Sequence, residues 1–374
     1  MNFKLLNQEG KARLGELNTA HGTVQTPFFM PVATKLTVKH ISPFELKSMG
    51  HNACISNTYV LFLKPGRDLI KKAKGIHKFM SYDKTMFTDS GGFQMVNSSL
   101  VGGITDKGVT FKDPFSNRTH FLRPEDIMHI ERELGSDVAM CLDHMPEVRS
   151  CKEKIVESVT RTIDWAKRCK KVHDGKSIYG QKQLLFGIAQ GGLFKDLREK
   201  SGKAINELDF DGNAIGGLAL GETRKEMHQA IKWQIPFLSE KKPRYVMGLG
   251  TPQDIIEAVS SGVDCFDSIY PTQNARHCNI FTQNGMIRLN KGLYREDFGP
   301  LDPDCDCYVC KNFSRAFLYH LSRSDEWTHH RYLSYHNVYF MSKFMEKIRL
   351  AIKENRFEQY KKEFLNGFCK TSSD

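Results

Sequence analysis

Eight short apolar runs recur along the chain, with helix-start signals between most of them, and this alternation restricts the possible folds more than any other feature. The runs lie at 28–33, 53–57, 85–88, 138–142, 184–189, 214–218, 245–249 and 264–269. Each has the length of a buried strand rather than of a helix. Between them, Ser42-Pro43-Phe44-Glu45, Ser150 with Glu153, Thr223 with Glu226, and Thr251-Pro252 supply N-cap residues, capping-box partners and prolines of the first helical turn. In the window 151–171, Ile155, Val159, Ile163 and Ala166 fall on one face, as in a helix packed outside a sheet. Eight strands alternating with helices predict a parallel (β/α)8 TIM-type barrel rather than an open doubly wound sheet. The whole chain reads as one domain: an N-terminal β-hairpin over 1–26 turning at Asn7-Gln8-Glu9-Gly10, the barrel over 27–300, and a C-terminal subdomain over 301–374.

A parallel barrel collects its chemistry where the strands end at their carboxyl side. Those ends are polar here: Asn57, Asp89-Ser90-Gly91-Gly92-Phe93-Gln94, Asp143, Gln190, Gly216-Gly217-Leu218, Met247-Gly248 and Asp267. Asp267 lies inside the apolar run of VDCFDSIYPTQNAR (263–276), where a carboxylate must be paired, protonated or functional. The residues after it, Pro271-Thr272-Gln273-Asn274, read as a turn. Asp89 and Asp267 at one mouth suit glycosyl transfer, one carboxylate capturing a cationic centre while the other moves a proton. Asp143 could accept two parallel hydrogen bonds from an amidine-like edge such as that of guanine, Gln190 could donate to a ring carbonyl, and Phe93 and Met247 could hold a flat base between them. Each of these is equally a residue type found in ordinary core packing.

Lys and Arg number 54 against 43 Asp and Glu, a formal net charge of +11, which favours a polyanionic partner such as nucleic acid or a membrane surface, and charge alone does not choose between them. No apolar run approaches the length of a membrane span, and the start MNFKLLNQEGK lacks the apolar centre of a signal peptide, so a soluble, cytoplasmic chain is expected. The ten cysteines lie mostly in apolar settings, as in a reducing compartment. Cys305, Cys307 and Cys310 are the exception: three close thiols, followed by His320, His329, His330 and His336, predict a closed tetrahedral structural zinc site, and spacing alone does not choose among the histidines. Helical stretches at 313–321 and 338–352 would surround it, and the charged stretch 353–370 reads as a solvated amphipathic helix.

The chain resembles the tRNA-guanine transglycosylases of the bacterial type over nearly its whole length. The resemblance rests on TDSGGFQ (88–94), GIAQGG (187–192), IGGLALGE (215–222), YVMGLGTP (245–252), FDSIYPT (266–272), and CDCYVC (305–310) with YHN (335–337). It implies replacement of guanine at the anticodon wobble position by a 7-deazaguanine, without cutting the RNA backbone. It makes Asp267 the nucleophile and Asp89 the proton acceptor and donor. Ser90, Gly91, Gly92, Phe93, Asp143, Gln190, Gly217, Leu218 and Met247 would surround the base, with the Leu218 carbonyl offered to its substituent. Gly248, Leu249, Gly250, Thr251, Pro252, Gln253 and Asp254, together with Thr272, Gln273, Asn274, Ala275 and Arg276, would face the anticodon loop. One zinc ion would take Cys305, Cys307, Cys310 and His336, and the resemblance also implies a homodimer.

Three positions depart from the family pattern. Met145 stands where a small Cys or Val is usual, Gln273 where an arginine is usual, and Val60 where a histidine is usual. Leu220 is bulky where eukaryotic relatives have glycine, which leans toward 7-aminomethyl-7-deazaguanine over the larger queuine. A non-catalytic RNA-binding subunit of the same fold is the alternative, and the presence of both Asp89 and Asp267 speaks against it. A metal-dependent barrel hydrolase would need a histidine pair after the first strand, and 28–34 contains no histidine.

Overall fold

The computed structural model describes residues 2–368 except 93, 94, 96–99, 115, 117, 148 and 325. All eight apolar runs become strands of one parallel sheet: Phe28–Pro31, Ala53–Asn57, Thr85–Asp89, Val138–Met140, Leu184–Ala189, Gly212–Ile215, Arg244–Val246 and Cys265–Ser268. The last strand pairs with the first, Cys265 opposite Phe28 through Ser268 opposite Pro31. Between the first and second strands a single bridge, Val32 to Ile55, spans the gap, and the Ala33 N–H donates to the Ile55 carbonyl at 2.7 Å. The sheet is thus a nearly closed barrel.

Inward-facing side chains fill its lower part. Phe87 meets Phe186 edge-on at 5.6 Å and Tyr245 at 6.2 Å, with Met30, Ile55, Met140 and Ile188 in the same buried cluster. The N-terminal segment caps this end. It forms not one hairpin but a three-stranded antiparallel sheet, Phe3–Glu9, Ala12–Thr19 and Gly22–Thr26, because Val24 on the third strand joins Phe3 and Leu17 in the barrel-bottom cluster. With that end plugged, the carboxyl ends of the strands are left to form the open mouth.

Local signals set most helix starts. The helix Pro43–Ser48 carries the capping box of Ser42 and Glu45, Arg224–Gln234 that of Thr223 and Glu226, and Thr251 accepts from the Asp254 N–H at the head of Pro252–Ser260. The expected box at Ser150 does not form: Ser150 donates its N–H to the Glu147 carbonyl in a turn, and the helix Lys152–Val172 starts after Cys151. Its stripe of Ile155, Val159, Ile163 and Ala166 is buried. The turn expected at 271–274 is instead the short helix Tyr270–Arg276, since Pro271 has the backbone angle of a first helical turn and the Asn274 amide donates to the Tyr270 carbonyl at 2.9 Å.

Two insertions escape the periodic reading. The strands Val101–Thr105, Gly108–Lys112 and Thr119–Leu122 form a small antiparallel sheet after the third barrel strand, where Gly102 and Gly103 blur any apolar alternation. The hairpin Asn279–Thr282 and Gly285–Arg288 follows the last barrel strand and packs, with Ala275, Leu289 and Leu301, into the core of the C-terminal unit. That unit adds helices Tyr308–Asn312, Arg315–Arg323, Thr328–Lys353 and Phe357–Phe368. The long helix Thr328–Lys353 runs back along the barrel, where Ser342 donates to the Met49 carbonyl and Arg349 to that of Pro27. The last helix buries Phe357, Phe364 and Phe368 and exposes its charges, as an amphipathic helix should.

Candidate active site

At the carboxyl ends of the strands lies a cavity of about 680 Å³, lined by Asn57, Asp89, Asp143, Met145, Gly216 through Glu222, Tyr245, Met247, Gly248 and Asp267, among others. It holds three strand-end carboxylates, each anchored differently. Asp267, on the strand Cys265–Ser268, accepts from the Tyr245 hydroxyl and, at 2.8 Å, from the Gly248 N–H. Both donors use Oδ1. Among the described residues none donates to Oδ2, so that oxygen is available to a ligand. Burial raises the Asp267 pKa, opposed by these two donors.

Asp89 ends the strand Thr85–Asp89 and accepts from the Asn57 amide at 2.9 Å. Asn57 is itself fixed, since its Oδ1 accepts from the Val60 N–H at the start of the short helix Thr58–Leu61. Burial first, then the nearby charges of Asp143 and Asp267, push the Asp89 carboxyl up to about 7, against donation from the Gly91 N–H and Asn57. At neutral pH it is therefore split between acid and base, the state a proton shuttle needs.

Asp143 is buried and raised to about 6 by that burial, while the Gln190 amide donates to its Oδ2 at 2.6 Å. Glycine makes room for this pair. A Cβ on Gly92 would sit 2.0 Å from Asp143 Oδ1, and one on Gly217, whose φ is +66°, would sit 2.3 Å from Gln190 Oε1. Side by side, a carboxylate and a carboxamide match the donor and acceptor edge of a flat amide-containing ring. Ser90, buried, accepts the Gly92 N–H and stiffens the loop, and Gly91 is buried beside it. Leu218 and Met247 line the walls, whereas Phe93 lies outside the described residues.

Of the residues expected to face a polynucleotide, Gly248 and Gln273 are exposed, and Thr251, Gln253, Asn274 and Arg276 are half-buried. Leu249, Gly250, Pro252, Asp254, Thr272 and Ala275 are buried, so their side chains shape the loops instead of reaching outward. Asp254 accepts from Arg224 at 2.7 Å, from His228 at 2.9 Å, and from Thr251. Arg276 folds one arm back onto the Thr272 carbonyl.

Away from the cavity, Cys305, Cys307, Cys310 and His336 converge. Their sulfurs lie 3.8, 3.5 and 3.3 Å from His336 Nδ1. Thiolate and imidazole ligands on one tetrahedral zinc would be separated by roughly 3.6 Å. His336 Nε2 donates to the Phe281 carbonyl at 2.7 Å, which leaves Nδ1 as the ligand atom. The four residues could hold a metal ion. Among the described residues all nine cysteines are free. The next residue, Asn337, binds the Phe281 N–H and the carbonyls of Pro271 and Asn279, so it joins this cluster to the helix that follows Asp267.

Sequence reasoning missed the supports behind the site. Tyr245 and Gly248 behind Asp267, Asn57 behind Asp89, and a buried Arg198 with Gln234 behind Gln190 were assigned no such roles; the one legible signal was Asn57, a polar residue at a strand end.

The family model described as queuine tRNA-ribosyltransferase matches residues 8–370. Three similar proteins carry that name. The one from Halothermothrix orenii is 44% identical, covering 100% of this chain and 99% of its own, and the one from Caldanaerobacter subterraneus subsp. tengcongensis is 46% identical over 96% and 94%. The one from Fusobacterium nucleatum subsp. nucleatum is 44% identical over 98% of each. With the family model spanning nearly the whole chain and relatives of this identity covering it end to end, the chain belongs to the queuine tRNA-ribosyltransferase family.

Proposed function

We propose that the protein exchanges guanine at the anticodon wobble position of tRNA for a 7-deazaguanine through a covalent enzyme–tRNA intermediate. The observation that carries the reading is the anchoring of Asp267, whose Oδ1 is held by Tyr245 and Gly248 while Oδ2 is left to ligand, in the same cavity as the proton-sharing Asp89 and the Asp143–Gln190 pair. Asp143 and Gln190 grip the guanine edge. Asp267 Oδ2 attacks the anomeric carbon of the ribose, forming an ester bond as the bond to guanine breaks. Asp89 supplies a proton to the leaving base and then removes one from the incoming base, which attacks the same carbon and displaces Asp267. Two inversions retain the configuration.

Met145 and Leu220 line the cavity, and their bulk favours 7-aminomethyl-7-deazaguanine over the larger queuine as incoming base. The metal held by Cys305, Cys307, Cys310 and His336 is one zinc ion per chain, with four protein ligands closing its coordination, so its role is structural. Phosphates of the anticodon loop meet a chain of net charge +11, with Arg276 and the exposed Gln273 beside the mouth. Pairing of two copies rests on the resemblance to the bacterial transglycosylases; Tyr308 and Phe317, both exposed and both in ring contact with Phe313, offer apolar surface for it on the C-terminal unit. No helix among the described residues is long and apolar enough to cross a membrane, in keeping with a cytoplasmic site of action.

The test is denaturing gel analysis of enzyme incubated with tRNA, followed by mass spectrometry of any RNA-linked peptide. Wild type is expected to give an adduct on Asp267, and Asp267→Asn to give neither adduct nor exchange while retaining tRNA binding. An adduct on another residue, or exchange by Asp267→Asn, refutes the assignment.

A further inference from the structure

Arg198 is fully buried on the helix Lys195–Glu207, behind the wall of the cavity that carries Gly216, Gly217 and Leu218. Among the described residues no carboxylate receives its guanidinium. It donates instead to carbonyl oxygens: Nε to Gly192 at 2.8 Å, Nη1 to Gly216 at 2.8 Å, and Nη2 to Gly217 at 3.4 Å, with Nη1 also reaching Gln234 Oε1 at 3.0 Å. Glu222 lies near enough to favour the charge but accepts no hydrogen bond from it, and a buried cation without a directly bonded anion is costly. Retaining one here calls for something that an apolar side chain of similar size could not provide.

The direction of the peptides supplies it. In a planar trans peptide the C=O and the following N–H point opposite ways. The Gly216 and Gly217 carbonyls both point back at Arg198, so the N–H groups of Gly217 and Leu218 point forward, towards the cavity. There they flank Gln190, whose Oε1 would lie 2.3 Å from a Cβ on Gly217. Gln234 reinforces the arrangement, since its amide also reaches the carbonyls of Gln190 and Arg198. A positive charge at the carbonyl end of a peptide also polarises it, making its N–H a stronger donor to negative charge on the other side.

We propose that Arg198 is the positioning residue of the base-binding wall: by holding the Gly216 and Gly217 carbonyls it aims and polarises the Gly217 and Leu218 N–H groups at the ring carbonyl of the bound purine. The proposal rests on the base-exchange reading above, and it makes Arg198 a determinant of base affinity rather than of RNA affinity.

The experiment measures guanine binding by calorimetry and, by fluorescence polarisation, binding of an anticodon stem-loop that is abasic at the wobble position and so leaves the base wall empty, on the full chain as wild type, Arg198→Lys and Gln234→Glu. Lysine keeps the charge but not the planar fork, and in Gln234→Glu the introduced carboxylate would draw the guanidinium off the carbonyls as an ion-pair partner. Both variants are expected to weaken guanine binding, Arg198→Lys by roughly tenfold or more, with stem-loop binding held within about twofold. In steady state the same loss should appear as a raised KM for the base, with kcat much less affected. Unchanged guanine affinity in folded Arg198→Lys overturns the proposal, as does a parallel loss of both ligands, which is what a merely structural role produces. If Arg198→Lys does not fold, unchanged guanine affinity in Gln234→Glu overturns it equally. Wild-type protein that binds the stem-loop but no guanine would instead refute the base-exchange reading itself.

Discussion

Replacing Asp89 by Asn should stabilise the protein at alkaline pH, and the size of the effect follows from the site. The Asp89 carboxyl rises from an ordinary 3.8 to about 7 because it is buried near Asp143 and Asp267. For an acid raised on folding, the folded state binds the extra proton, so its contribution to stability is complete below the unfolded pKa and is lost as pH climbs through about 7. Each unit corresponds to about 1.4 kcal/mol, so a rise of about three units amounts to roughly 4 kcal/mol over the full span from below the unfolded pKa to well above 7; about two of those units, roughly 3 kcal/mol, fall between pH 5 and pH 8, and relaxation of the site reduces that to about 1–3 kcal/mol. Asparagine at this position carries no charge at any pH and can keep the hydrogen bond from Asn57, because its Oδ1 remains an acceptor. Equilibrium urea unfolding of metal-loaded wild type and Asp89→Asn at pH 5 and pH 8 reads the difference, and the titration of groups that do not interact with Asp89 cancels between the two proteins. The advantage of Asp89→Asn should grow by about 1–3 kcal/mol from the lower to the higher pH, while exchange activity falls. A stability difference that is the same at both pH values refutes the assignment of a raised, proton-sharing carboxyl to Asp89.

Gly92→Ala places a methyl 2.0 Å from Asp143 Oδ1 and must displace that carboxylate; guanine affinity measured by calorimetry should fall by roughly a hundredfold, and an unchanged affinity would remove Asp143 from base recognition. Cys307→Ser should lose bound zinc, measured by atomic emission, together with soluble yield, because metal binding and folding of the C-terminal unit are linked; a folded, metal-free variant with normal turnover contradicts a structural site. Anticodon stem-loop affinity should drop more than about tenfold between roughly 50 and 200 mM salt through counterion release, and a flat salt dependence would rule out phosphate contacts as its main source.

Much of this protein was readable residue by residue because the relevant physics is local. A strand end and a helix cap are set by neighbours a few positions away, so the eight runs, the Ser42–Glu45 and Thr223–Glu226 boxes and the Thr251 cap are found where the pattern puts them. Once a parallel barrel is implied, the carboxyl ends of its strands must share one mouth, and that alone brought Asp89, Asp143, Gln190 and Asp267 together. Local reasoning failed where two local signals competed: Pro271 to Asn274 could end a strand as a turn or open a helix, and packing against the helix Thr328–Lys353 through Asn337 favours the helix.

The functional assignments that depend on direction came only with the tertiary structure. Which oxygen of Asp267 stays available depends on Tyr245 and Gly248, from a neighbouring strand and the loop after it, and the state of Asp89 depends on Asn57 across the sheet and on two other carboxylates. His336 rather than His320 or His329 completes the cysteine cluster because of where the long helix turns its faces against the hairpin at Phe281. Arg198 gave no sign of its place in a sequence rich in basic residues, since nothing local distinguishes a buried arginine on an amphipathic helix from a solvated one. Periodicity records which face of an element is apolar, whereas hydrogen-bond partners and carboxyl ionisation are set by atoms that approach only after the barrel has closed.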